Sequence, residues 1–146
     1  MNTSVQQPVA IACLFTWIGF VCAISFLEAW LKFRAPGVIL PIGLGIGRLI
    51  FGALNKVEWV FAAVVCISAV MHGKPFMTLP NMCLTAVVMI LVMQTVWLLP
   101  ALDVRAELHM QGKPVTHSYL HFWFVGTEVV KVIILFITAI SLLKKS

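Results

Sequence analysis

The sequence predicts an all-α fold: an integral membrane bundle of four transmembrane helices, with an amphipathic segment leading into the second. Three observations point there. Of 146 residues, 62% are hydrophobic and only 10% are charged, far from the roughly 25% charged of soluble domains. The mean hydropathy is +1.06. The apolar residues also fall into four long runs, each near the roughly 20 residues a helix needs to cross a bilayer. Length allows a single domain over residues 1–146, and a water-soluble globule is excluded.

The first run covers about 8–31 and carries no charge before Glu28. It ends in Lys32-Phe33-Arg34-Ala35-Pro36-Gly37, where proline and glycine break helical continuity. Lacking the positive n-region and cleavage site of a signal peptide, it reads as a retained helix. The second pattern runs over 41–71, long for about 30 Å of hydrocarbon at about 1.5 Å per residue. Its first half holds Gly43, Gly45, Gly47, Arg48, Gly52, Asn55, Lys56 and Glu58 and reads as amphipathic or partly re-entrant; 59–71 is fully apolar. His72-Gly73-Lys74-Pro75 then breaks the helix. The third helix is predicted over 82–99. After Pro100 the polar stretch 103–111 is expected to continue as a helix standing in the membrane interface until Gly112-Lys113-Pro114 stops it. The fourth span, 118–143, is closed by Lys144 and Lys145.

Four spans place both termini on one side. The two loops on the other side carry Lys32, Arg34, Arg48, Lys56, Arg105 and Lys113, against Lys74, Lys144 and Lys145, so these loops are predicted to be cytoplasmic. The net charge is +5, but the cations are scattered singly, which disfavours nucleic acid as a partner. The expected partner is the lipid bilayer, with headgroups anchoring the helix ends. Cys13, Cys22, Cys66 and Cys83 show no C-x-x-C spacing and read as free buried thiols.

The chemistry-bearing residues concentrate on the fourth helix. At 100° per residue, His121 lies about 40° around from His117, Glu128 about 20°, and Lys131 about 40° the other way, so the four share one face. A charge in the middle of an apolar span costs several kcal/mol unless it turns toward the bundle interior. The plain reading is a satisfied network in which Glu128 and Lys131 pair; the functional one is a polar pocket. His117 and His121 are spaced to ligate a metal ion or flank a haem, whereas Glu128, about 16 Å along the helix from His117, is too far to share the ion. Glu28 and Lys32 form a favourable i,i+4 pair. Gly45, Arg48, Gly52 and Asn55 lie within about 80° of one another and offer close packing or an anion site. Gly43 and Gly47 read as helix packing, since the glycine spacing does not satisfy G-x-G-x-x-G. Met82, Met89 and Met93, near Cys83, suit Cu(I) as soft ligands but read as core or lipid-facing filler. Asp103 and Glu107 are expected to form a solvated face with Arg105. No serine-hydrolase, P-loop or metalloprotease signature is present.

Leu31-Lys32-Phe33-Arg34-Ala35-Pro36 followed by Gly47-Arg48-Leu49-Ile50-Phe51, and then Leu99-Pro100, Arg105 and His117-Ser118, resemble the small four-helix membrane proteins of the transmembrane-protein-205-like group. The resemblance covers about half the chain. It implies the fold and carries over Arg48 and His117 as recurrent polar positions; Glu128 and Lys131 stand outside its pattern.

The functional expectation is a multi-pass protein of a cell membrane in which Glu28, Arg48, Asn55, Glu128 and Lys131 line an intramembrane pocket, with His117 and His121 at its mouth. That pocket would take a small ligand, ion or metal cofactor. Arg48 would hold an anionic group and Glu128 would act as proton acceptor or counter-ion. The alternatives are a proton-coupled or metal-ion transporter working as a homo-oligomer, and a non-catalytic subunit that mates its polar stripes with another membrane protein.

Overall fold

The computed structural model describes residues 7–73 and 75–144. These residues contain no strand. Four helices, α1 (Pro8–Arg34), α2 (Leu40–Met71), α3 (Leu79–Met110) and α4 (Leu120–Lys144), are each long and apolar enough to cross a bilayer. Pro8, Pro41 and Pro80 stand in the first turns of α1, α2 and α3, where a missing N–H is no loss. Gly73 and Gly112 follow the ends of α2 and α3 with φ of +57° and +69°, the left-handed geometry that closes a helix. α1 packs on α2, α2 on α3 and α3 on α4, and α1 closes the ring on α4. Lys74 and Lys145, two of the cations assigned to the terminal side, lie outside the described residues.

One element differs from expectation. α2 is one continuous helix of 32 residues, with no re-entrant entry. Its polar side chains find partners on neighbouring helices, Arg48 and Asn55 on α3 and Glu58 on α1 and α4, so the backbone has no reason to break. α3 passes through Pro100 to Met110, the helical continuation expected after the third run. A proline ring clashes with the carbonyl four residues back. Here the turn just before it, Gln94–Leu98, is widened to π-helical geometry, which gives the ring room. α1 carries a second π-helical stretch, Cys22–Glu28, and tightens to a 3₁₀ turn over Lys32–Arg34.

Along the bundle axis the interior falls into three levels. The end bearing the 72–78 connection holds a dry apolar core, in which Leu14 and Val21 of α1 meet Ala62 and Val65 of α2, Val87 and Leu91 of α3, and Leu135 and Ala139 of α4. The middle level is polar, and the end bearing connections 35–39 and 111–119 is hollow. Outside, the polarity is inverted. Leu49, Val96 and Phe122 are 78%, 73% and 71% exposed, while Glu128 and Lys131 are 0% exposed. Water would penalise both choices; hydrocarbon favours both.

The hollow end depends on close approach between α1 and α2. A Cβ at Gly43 would fall onto the Phe33 ring, and one at Gly47 would lie 3.1 Å from Lys32 Nζ. Gly43→Val should therefore lower the unfolding free energy in mixed micelles by about 1–3 kcal/mol through overpacking. Gly126→Ala, which meets nothing within 4 Å, should be neutral or slightly stabilising. Equal behaviour of the two variants would remove Gly43 from the contact.

Candidate functional site

The polar level is built by one residue or more from every helix. Lys131 Nζ has three protons to donate, and it finds three acceptors: Glu58 Oε1 of α2 at 2.5 Å, Glu128 Oε1 of its own helix at 2.7 Å and Gln94 Oε1 of α3 at 2.8 Å. The Gln94 amide donates in turn to Glu128 Oε1 at 2.6 Å and to the Thr127 hydroxyl at 2.9 Å. From α1, Trp17 Nε1 donates to Glu58 Oε1 at 2.9 Å and Ser25 Oγ to Glu128 Oε2 at 3.0 Å. Glu58 is 2% exposed, Gln94 1%, and Glu128 and Lys131 not at all. The cluster thus places two carboxylates around one ammonium in a sealed interior, with every ammonium proton given an acceptor.

The hollow level is a cavity of about 440 Å³ between the end of α1, the glycine face of α2, the second half of α3 and the start of α4. Its wall is apolar over Phe33, Leu44, Phe51 and Leu99, and it carries Lys32, Arg48, Asp103, Thr95 and His121. Arg48 grips Asp103 with two nitrogens, Nε on Oδ1 and Nη2 on Oδ2, the latter at 2.8 Å, and Nη2 stands 3.8 Å from Glu107. Lys32 pairs with Glu28 at 3.2 Å, its Nζ lying 5.5 Å from the Phe33 ring centre and 5.3 Å from that of Phe51. Glu28 Oε1 is buried without a hydrogen-bond partner. The Thr95 hydroxyl accepts from Asn55 Nδ2 and Trp59 Nε1, both at 3.0 Å, and so ties α2 to α3 at the cavity floor.

The residues singled out in the sequence are therefore divided between two places. Glu128 and Lys131 belong to the sealed cluster and do not line the cavity; Arg48 does, and Glu28 and Asn55 act on it through Lys32 and Thr95. The guanidinium offered to an anion is already held by Asp103; Asp103 and Glu107 stay about half exposed, as expected, but face Arg48 and not Arg105. Arg105 turns instead to the Thr116 carbonyl. The histidine pair also differs from expectation. α4 begins at Leu120, which leaves His117 in the preceding connection with its ring edge-on to Tyr119 at 5.6 Å, off the helical face that His121 occupies. Among the described residues no three His, Cys, Asp or Glu groups converge where they could hold a metal ion.

Three participants escaped the sequence reading. Glu58 was assigned to an amphipathic or partly re-entrant stretch, although Asn55, Glu58, Ala62 and Val65 follow the 3-4-3 spacing of one buried face. Gln94 is a lone amide in the third apolar run, and Trp17 one of two indoles in the first, the other being Trp30 near its end. A polar atom at helical mid-length was the available signal in both cases. Comparison with protein-family models, curated proteins and solved structures gives no match, so the task of the chain is read from its site.

Proposed function

We propose that the protein is a multi-pass integral membrane protein whose task is to bind a small amphipathic molecule drawn from the bilayer. The reading is carried by the cavity of about 440 Å³, in which charged groups stand on an otherwise apolar wall. Ligand sites are typically about 300–1,000 Å³, apolar, with a few placed polar groups. Each cation on the wall already has a carboxylate beside it, Lys32 with Glu28 and Arg48 with Asp103. A charge-balanced wall favours a head that is dipolar or zwitterionic over a bare anion, because a net charge would have to break an ion pair at membrane depth. The apolar body would lie against Phe33, Phe51 and Leu99.

Gly52 lies on the cavity wall, and a Cβ there meets nothing within 4 Å. Gly52→Leu should fill the space without disturbing the helices. With a short-chain phosphocholine carrying a brominated acyl chain as probe, the wild-type protein should show saturable quenching of tryptophan fluorescence, since Trp59 is bonded to Thr95 on the cavity wall. Gly52→Leu should weaken that binding by about tenfold or more at unchanged helix content. Quenching that is indifferent to the substitution would sink the assignment.

A further inference from the structure

The sealed cluster has a charge count that the ligand-binding reading does not use. Two carboxylates and one ammonium sum to −1, and every group is buried among four helices. An unmatched charge in such surroundings is what protein interiors avoid. The groups facing the carboxylates are Trp17 and Ser25 from α1, Gln94 from α3 and Lys131 from α4. None of these except Lys131 brings a positive charge.

The hydrogen bonds distinguish the two carboxyls. Glu128 accepts on both oxygens, from Lys131 and Gln94 on Oε1 and from Ser25 on Oε2. That is the environment of an ionised carboxylate, which is acceptor only. Glu58 receives Lys131 and Trp17 on the same oxygen, Oε1, which leaves Oε2 as the site for an O–H bond. We propose that the cluster is a proton-binding site in which Glu58 carries one exchangeable proton on Oε2 while Glu128 remains the counter-ion of Lys131. The proton comes from water, forms one O–H bond and brings the cluster from −1 to zero; its release restores the charge, with no other reactant.

The π-helical stretch Gln94–Leu98 joins this site to the cavity, because Gln94 stands in the cluster and its neighbour Thr95 on the cavity wall. Exchange with water would enter from that end. Since all four helices meet at the cluster, a bundle that is neutral inside only with the proton bound links proton release to the packing of the helices.

Infrared spectroscopy of the lipid-reconstituted protein at neutral pH tests this directly. The wild-type protein should show a protonated-carboxyl C=O band that moves on exchange into D2O and on labelling glutamate with carbon-13. Glu58→Gln should lose the band. Glu128→Gln should lose it as well, because the remaining carboxylate then becomes the sole counter-ion of Lys131 and gives up its proton. Absence of a glutamic-acid band in the labelled wild-type protein overturns the proposal even if both variants fail to fold, and so does a band that survives either substitution.

Discussion

Lys131→Met is expected to lower the unfolding free energy by about 3–5 kcal/mol, whereas Glu58→Gln should cost about 1 kcal/mol. Both substitutions remove one ionisable group from the same cluster, so a view in which both carboxyls are ionised and ion pairs simply add would predict similar losses. The charge count separates them. Without Lys131, Glu58 and Glu128 face each other in a sealed interior with no cation, and the protein must either carry the uncompensated charge or take up further protons. Without the Glu58 carboxylate, one ammonium and one carboxylate remain, and the glutamine carbonyl still accepts from Lys131 and Trp17 at the position of Oε1. Denaturant titration in mixed micelles, followed by circular dichroism, measures both. Equal costs would mean that the second carboxylate is as necessary as the lysine, and the proton-binding assignment would lose its energetic basis.

Most of the fold was legible because the four helices are set by one-dimensional properties: run length, hydropathy, and the prolines and glycines at 36–37, 73–75 and 112–114. What escaped depends on pairing between helices. Nothing local announces that α2 stays unbroken through Arg48, because the partner that makes this tolerable, Asp103, lies on α3. Nor does Pro100 reveal that the preceding turn has widened to accommodate it. The polar face of the fourth helix was visible at Glu128 and Lys131, where periodicity holds. It failed at His117, where periodicity was extended past a helix start. The division of polar residues into a sealed cluster and a hollow was out of reach, since it is fixed by which side chains fill the space between helices. Phe33 can lean on α2 only where Gly43 lets it, and Lys131 is covered because three other helices supply its acceptors or their donors.

Trp17→Ala should be the most damaging change on α1, at about 3 kcal/mol, and Trp17→Phe should recover more than half of that loss. Trp17 is completely buried, its ring tilted 31° against Phe61 with centroids 6.1 Å apart, and its N–H bonded to Glu58. In water, an aromatic-to-alanine change combines a transfer term with a cavity term. In a bilayer the separated helices are already in hydrocarbon, so the transfer term largely vanishes and the void and the lost hydrogen bond remain. Phenylalanine restores most of the volume but no donor, so the difference between the variants reads packing and the residual cost of Trp17→Phe reads the N–H bond. Measured bonds between membrane helices average about 0.6 kcal/mol, with the strongest near 1.7, and one to a carboxyl that also accepts from Lys131 belongs near the upper end. Combining Trp17→Phe with Glu58→Met, which removes the acceptor that glutamine would keep, isolates that pairwise energy. If the two changes are additive, the indole merely fills space above the core; if they couple by about 1 kcal/mol, α1 is held in place by the same carboxyl on which the charge balance of the bundle turns.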